Sequence, residues 1–142
     1  MPKIFRAMRK ADDEKPVVGA SSSGLGVRIP GEGQRADVDL DENGLVMLNS
    51  KGMSVSPQWR DLPRSRIPAR LKDKFPDAIG SNKSFCFTMG EGPFENSPLT
   101  TDLDFIVDTA KHGLVAPHVA VTLAQFQESL ANTRDLWIID ED

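Results

Sequence analysis

The sequence of 142 residues predicts an α+β domain dominated by antiparallel sheet. Three observations support this fold class: the apolar runs are short and β-rich, turn residues separate them, and only one segment has the start signals of a helix. A chain of this length can bury about 68–70% of its unfolded surface, so residues 1–142 are most simply one domain. We expect about six to eight short strands.

The first third of the chain is predicted to hold a strand, a loop that contains a second short strand, and a hairpin. Residues 4–8 are apolar except for Arg6, which suits a strand that presents a guanidinium from a buried face. Residues 19–33 hold five glycines and three consecutive serines, which predicts a flexible loop that could lie over a site, with a short strand at 25–29. Apolar and acidic alternation before an Asp-Glu-Asn-Gly turn predicts a β-hairpin over 36–48.

The middle of the chain predicts three further strands. Four prolines between residues 57 and 76 exclude a long helix, although 65–75 can hold a short helical turn. Strands are predicted at 84–89, 103–108 and 113–116, where β-branched, aromatic and other apolar residues cluster.

The predicted helix begins at Thr122. Thr122 can cap it while Gln125 bonds back as its capping-box partner, and the apolar spacing continues to about Asn132. A last strand is predicted at 136–139, followed by an acidic tail, 140–142, that we expect to fray.

Composition excludes several classes of protein. Seventeen basic residues against 21 acidic ones give a net charge of −4, which makes nucleic acid or anionic lipid an improbable general partner and favours a small ligand or a protein. Cys86 lies between two phenylalanines, which indicates a buried thiol in a reduced cytosolic protein. Two histidines and one cysteine are too few for a Cys/His zinc site, so we predict no metal. The absence of tyrosine excludes tyrosine-dependent enzymes.

No membrane or secretory segment is predicted. The N-terminal residues are basic without an apolar run behind them, and no window reaches the roughly 18 apolar residues of a membrane span. We therefore expect a cytoplasmic protein, exported, if at all, without a cleaved signal peptide.

The common catalytic motifs are missing. The chain has no Gly-x-Gly-x-x-Gly, no P-loop, no Gly-x-Ser-x-Gly and no His-Glu-x-x-His. What remains is a set of polar residues on predicted strands, namely Arg6, Ser54 and His112. Each also has a structural explanation: an ion pair for the arginine, a satisfied turn for the serine and an ordinary Lys-His-Gly turn for the histidine.

Five blocks of the sequence nevertheless form a recognisable pattern. They are Ile4-Phe5-Arg6-Ala7, Gly52-Met53-Ser54-Val55-Ser56-Pro57, Trp59-Arg60-Asp61-Leu62-Pro63 with Arg66-Ile67-Pro68, Met89-Gly90-Glu91-Gly92-Pro93-Phe94, and His112-Gly113-Leu114-Val115-Ala116-Pro117. With them the chain resembles the "type VI secretion exported effector two" family of ADP-ribosyltransferase toxins over nearly its whole length. The resemblance implies two small antiparallel sheets enclosing a cleft, and NAD as the substrate whose nicotinamide–ribose bond is cleaved.

The resemblance also implies roles for particular residues. Arg6 would anchor the NAD phosphates, and Ser54 would hydrogen-bond within the nicotinamide–ribose pocket. His112 would fill the third catalytic position, bonding a ribose hydroxyl or acting as base towards the acceptor.

The chain departs from related enzymes at two points. Many ADP-ribosyltransferases have a glutamate in the third position; here the nearest spare carboxylates are Glu91 and Glu95, and Glu91 lies in a predicted turn. Another branch clamps nicotinamide between tyrosines, which this chain lacks, so Trp59, Phe94 or Phe5 would have to stack instead.

Two other functions stay open at this point. One is a non-catalytic interaction module on the same scaffold, and the other is a nuclease toxin that uses His112 and His118. The toxin interpretation implies a cognate immunity protein. It also implies a cytosolic acceptor for ADP-ribose, with NAD hydrolysis as the alternative to transfer.

Overall fold

The computed structural model describes residues 1–28, 36–48 and 51–142. In chain order its elements are β1 (Ile4–Arg9), β2 (Met53–Val55), β3 (Ser84–Met89), β4 (Ser97–Pro98), β5 (Leu103–Thr109), β6 (His112–Pro117), α1 (Leu123–Ala131) and β7 (Ile138–Ile139). Three single turns of 3-10 helix lie at Trp59–Asp61, Ala69–Leu71 and Arg134–Leu136.

The strands form two antiparallel sheets, and with α1 they make an α+β domain. One sheet has the order β1-β3-β7, and the other has the order β2-β6-β5-β4. The sheets meet where Phe5 of β1 and Ser56, just past β2, exchange backbone hydrogen bonds of 2.7 and 2.9 Å. This junction brings β1 and β2 side by side although they are far apart in sequence.

Strand β1 separates two apolar cores. Ile4 and Met8 belong to the larger core, whereas Phe5 and Ala7 belong to the smaller one. This division follows the alternation of side chains along a strand. Arg6 has the same parity as Ile4 and Met8, so a charged side chain leaves β1 on the side where an apolar one would be expected.

Helix α1 is confirmed with its predicted cap. The Thr122 hydroxyl accepts a hydrogen bond from the Gln125 amide at 3.2 Å, and the Gln125 side-chain oxygen accepts one from the Thr122 amide at 2.9 Å. Phe126 and Leu130 are buried in the larger core. The capping box therefore sets the start of a helix whose apolar face fixes it to the sheets.

Most of the other predicted elements are also found. The predicted strands corresponding to β1, β3, β5 and β6 are confirmed. The predicted hairpin over 36–48 is reduced to a single antiparallel bridge between Leu40 and Val46, and the predicted helical turn within 65–75 is the 3-10 turn at Ala69–Leu71.

Two predicted strands differ from the structure. Residue 29 of the predicted strand at 25–29 lies outside the described residues; within the described part, Leu25 makes only a bridge to Val18. The strand predicted over 136–139 is limited to Ile138–Ile139, because a 3-10 turn precedes it. That turn is stabilised by the buried Trp137 indole, which donates to the Thr133 hydroxyl at 2.9 Å.

The acidic tail does not fray, contrary to the prediction. The Glu141 carboxylate accepts two hydrogen bonds from the Arg70 guanidinium, at 2.7 and 2.8 Å, and one from the Cys86 amide at 3.1 Å. The Asp140 amide donates to the Cys86 carbonyl, and the Trp59 indole donates to the Asp142 carbonyl. Side chains of the proline-rich segment and the backbone of β3 thus give the tail its partners.

The predicted loop at 19–33 is described only up to residue 28. That part is held in place by specific contacts to Arg6, set out below, and is not a loose segment. Residues 29–33 lie outside the described residues.

Two global findings concern the described residues alone. No helix there has the length and apolar character needed to cross a membrane. No group of three or more His, Cys, Asp or Glu side chains there is arranged to hold a metal ion.

Candidate functional site

A two-part cleft opens beside the junction of the two sheets. Its inner recess has a volume of about 210 Å³ and its outer recess one of about 410 Å³. Arg28, Asp37, Ser54 and His112 line both recesses, so the two are adjacent and share a boundary. The volume of the outer recess by itself lies within the range of about 300–1,000 Å³ that is usual for small-molecule sites.

Arg6 forms the buried end of the inner recess. Its guanidinium donates to the carbonyl oxygens of Ser54 at 2.9 Å, Gly24 at 3.2 Å and Gly26 at 3.2 Å. Longer contacts of 3.5 Å reach the carbonyls of Ser21 and Ser22. Arg6 thereby ties the segment around residues 21–26 to β2.

The charge of Arg6 is not neutralised by a directly bonded carboxylate in the described part of the chain. Burial lowers its pKa to about 10, while Asp37 raises it and Arg66 and Arg28 lower it further. The guanidinium is still charged at neutral pH. Its positive field therefore extends into the recess.

Arg28 and Asp37 form the rim of both recesses. The Asp37 carboxylate accepts hydrogen bonds from the Arg28 backbone amide at 2.6 Å and from its guanidinium at 2.9 and 3.2 Å. This pairing raises the pKa of Arg28 above its usual value. The pair joins Arg28 to Asp37, nine residues further along the chain.

The inner recess carries an excess of positive charge. Among the described residues, three arginines, Arg6, Arg28 and Arg66, and one aspartate, Asp37, line it, which leaves a net of two positive charges. The whole chain, by contrast, has a net charge of −4. Positive charge concentrated in a cleft of an acidic protein favours an anionic ligand.

Ser54 presents its side chain at the boundary between the recesses. It lies in the middle of β2, between the buried Met53 and Val55, and strand alternation turns it to the exposed face. Its carbonyl is engaged by Arg6, and its hydroxyl bonds to no other described residue. The hydroxyl can therefore donate to or accept from a ligand in either recess.

His112 begins β6, the strand that pairs with β2, and lines the same boundary. Its Nδ1 lies 2.8 Å from Oδ2 of Asp108, which also lines the outer recess. The pairing of β5 with β6 is irregular here, because Val107 faces Gly113 whereas Thr109 faces His112. This β-bulge leaves Asp108 as the extra residue beside the histidine.

The structure brings together three of the residues selected from the sequence. Arg6, Ser54 and His112 all line the inner recess, although they come from different strands and are widely separated in the chain.

The other candidates lie elsewhere. Trp59 is buried in the smaller core beside Phe5, and Phe94 packs edge-on against Phe105 at 4.9 Å between ring centroids. Glu91 and Glu95 are exposed, and neither lines the cleft.

No phenylalanine or tryptophan ring lines either recess in the described part of the chain. The apolar walls of the inner recess are Ala7, Val55, Leu62 and Pro63. The structure therefore does not bring Trp59, predicted to bind the cofactor, to the cleft. A planar ligand there would contact aliphatic surface.

His118 lies apart from His112. It follows β6, six residues further along, which corresponds to about 20 Å in an extended strand. It faces Asp104, with Nδ1 at 3.0 Å from Oδ2, and lines a separate recess with Thr101 and Gln125. The two histidines therefore do not form one site.

Arg28, Asp37 and Asp108 are cleft residues that sequence patterns do not indicate, and Arg66 is part of a sequence block without a predicted role. The first two lie beside a glycine-rich segment, where composition indicates only a loop. Asp108 lies four residues before His112, at the end of a predicted strand. An aspartate and a histidine at this spacing across a hairpin turn are the one sequence signal for a contact between them.

Comparison of the chain with protein-family models, curated proteins and solved structures found no match.

Proposed function

We propose that this chain is an NAD-dependent mono-ADP-ribosyltransferase of the toxin type, on an ADP-ribosyltransferase-like fold. The observation that carries the proposal is the convergence of Arg6, Ser54 and His112 on one positively charged cleft between two antiparallel sheets. The resemblance of the sequence to that toxin family assigned roles to the same three residues.

The charge of the cleft supports a pyrophosphate ligand. Each of the two phosphates of NAD carries one negative charge at neutral pH, and the described residues of the inner recess have a net of two positive charges. Arginine offers paired N–H donors that match phosphate oxygens. Arg6 is largely occupied by carbonyls and Arg28 is paired with Asp37, so Arg66 supplies the most accessible donors, and Arg6 supplies charge and holds the surrounding backbone.

The remaining polar groups suit the bond that has to break. Cleavage of the nicotinamide–ribose bond passes through a ribosyl cation, and a site accelerates it by binding that cation better than the substrate. In this proposal the Ser54 hydroxyl holds the ribose or the carboxamide. The imidazole of His112 accepts the proton of the incoming nucleophile.

The aliphatic wall suits the leaving group. Nicotinamide leaves as a neutral ring, and the surface formed by Leu62, Pro63 and Val55 can accept such a ring without a charged partner. Stacking on tryptophan or phenylalanine is not required.

The test is to measure NAD binding by calorimetry and nicotinamide release by chromatography for the wild type and four alanine variants. We expect Arg66→Ala to weaken binding, and Ser54→Ala to raise KM, lower kcat or both. His112→Ala should lower kcat by about a hundredfold, the scale of a lost general base. His118→Ala is the matched control and should behave as wild type. Absence of NAD binding, or equal activity of all the variants, would contradict the proposal.

Growth of cells that express the protein separates the toxin from a non-catalytic interaction module. The enzyme should arrest growth, His112→Ala should relieve the arrest, and a cognate immunity protein should suppress it. An interaction module on the same scaffold would neither cleave NAD nor depend on His112.

A further inference from the structure

The contact between His112 and Asp108 does more than close a hairpin. Nδ1 and Oδ2 are 2.8 Å apart at the edge of the outer recess. The turn between β5 and β6 has its own bond, from the Lys111 amide to the Thr109 hydroxyl at 3.2 Å. Asp108 is therefore not needed to form that turn.

Stability does not explain the pair either. The side chains of His112 and Asp108 are 37% and 56% exposed. A solvent-exposed ion pair contributes little to folding, because water screens the charges and ordering the side chains costs entropy.

The geometry decides which nitrogen of His112 carries the proton. An ionised carboxylate can only accept hydrogen bonds, so the ring nitrogen that faces Asp108 must be the donor. In the neutral imidazole the second nitrogen, Nε2, then has a free lone pair.

We infer that Asp108 is a positioning residue that holds His112 with Nδ1 protonated and Nε2 available as a base towards an O–H nucleophile. This inference rests on the proposed function for its catalytic consequence, although the tautomer itself can be tested without NAD. The bulge in β5 serves this arrangement, because it places an extra residue opposite His112.

The step that this arrangement supports can be written for water, the simplest O–H acceptor. The oxygen of water forms a bond to C1′ of the ribose while the C1′–N bond breaks and its electron pair returns to nicotinamide. The proton of water passes to Nε2, and the resulting imidazolium is stabilised by the Asp108 carboxylate before releasing its proton to solvent. The products are ADP-ribose and nicotinamide, and no redox partner is required.

The chain contains a matched control outside the cleft. His118 faces Asp104 in the same way, with Nδ1 at 3.0 Å from a carboxylate oxygen. Asp108→Ala and Asp104→Ala therefore remove the same kind of contact, one inside the proposed site and one outside it.

The first experiment uses ¹⁵N NMR of the two imidazoles in the ligand-free protein, at a pH where both are neutral. In the wild type we expect His112 to show a protonated Nδ1 and an unprotonated Nε2. Asp108→Ala should shift His112 towards the other tautomer and leave the His118 signals unchanged. Asp104→Ala should change the His118 signals and leave those of His112 unchanged. An unchanged His112 tautomer in Asp108→Ala would overturn the inference.

The second experiment measures nicotinamide release. We expect Asp108→Ala to lower kcat by about tenfold or more with little change in KM, because general-base catalysis is lost and NAD contacts are kept. Asp104→Ala should leave both constants unchanged. Wild-type kcat in Asp108→Ala would overturn the catalytic part of the inference. If the wild type cleaves no NAD, the proposed function fails while the NMR result still decides the role of Asp108.

Discussion

Arg6 is at once a structural clamp and a source of charge. Its side chain is 7% exposed, and it bonds carbonyl oxygens on both sides of the cleft. Losing such a donor leaves buried carbonyls without a partner, which costs more than the bond itself contributes. A mutation of Arg6 therefore changes both stability and ligand binding. It has to be compared with a mutation of an arginine that affects ligand binding alone.

We predict that Arg6→Lys lowers the free energy of unfolding by about 1–3 kcal/mol. The Gly24, Gly26 and Ser54 carbonyls are bound by three different nitrogens of the guanidinium, and a single ammonium nitrogen cannot take all three positions. Urea denaturation measures this change. Arg66→Lys, the control, should leave the unfolding free energy nearly unchanged and weaken NAD binding. Equal stability of Arg6→Lys and wild type would contradict the clamp.

Cys86 is a buried thiol without a catalytic environment. Burial raises its pKa from 9.0 to about 12, with Glu141 raising it further. The reactive thiolate is thus suppressed at physiological pH, which agrees with its place in the smaller core.

The raised pKa of Cys86 predicts a pH effect on stability. The folded state keeps the proton to a higher pH than the unfolded state does, so the Cys86 contribution is complete below pH 9.0 and is lost as pH rises towards about 12. We expect wild-type stability to fall more steeply than that of Cys86→Ala across this window in urea titrations. Parallel pH profiles would contradict this assignment.

At the level of elements, the C-terminal tail is a structural part of the first sheet. Glu141 joins the Arg70 guanidinium to the backbone of β3, and its side chain is 15% exposed. The pairing also raises the pKa of Arg70. An acidic segment that would fray by itself is therefore ordered by basic partners.

We predict that Glu141→Gln lowers the free energy of unfolding by about 1–3 kcal/mol, because it removes a charged, two-point contact with Arg70. Thermal or urea denaturation measures the change. Glu95→Gln, at an exposed residue, is the control and should leave the free energy of unfolding unchanged. Kinetics with NAD should be unchanged for Glu141→Gln, since the tail does not line the cleft.

At the scale of the whole molecule, the distribution of charge matters more than its sum. The chain has a net charge of −4, yet arginines line the inner recess. An anion is therefore attracted to the cleft and repelled by much of the remaining surface.

This distribution predicts salt-sensitive binding. Raising ionic strength from about 0.1 M to about 1 M shortens the screening length from about 10 Å to about 3 Å, so affinity for NAD and for inorganic pyrophosphate should fall. Calorimetry over a salt series measures the dependence. Arg66→Ala should weaken the dependence of affinity on salt concentration, whereas Lys83→Ala, outside the cleft, should leave that dependence unchanged. Affinity independent of salt would argue against an electrostatic anion site.

The sequence alone determined most of the elements. Short β-rich runs between turns fixed the main strands, and the Thr122–Gln125 capping box fixed the helix start, because these signals are local. It also singled out Arg6, Ser54 and His112, through motif resemblance and the oddity of polar residues on apolar strands.

Only the tertiary structure decided which residues share the cleft. Arg28, Asp37, Arg66 and Asp108 reach it through the meeting of two sheets and a β-bulge, and such long-range pairings leave no periodic signal in the chain. Long-range packing also explains why Trp59, a candidate from the sequence for stacking on nicotinamide, lies in the smaller core. Local patterns specify elements, whereas the environment of a side chain depends on segments distant in sequence.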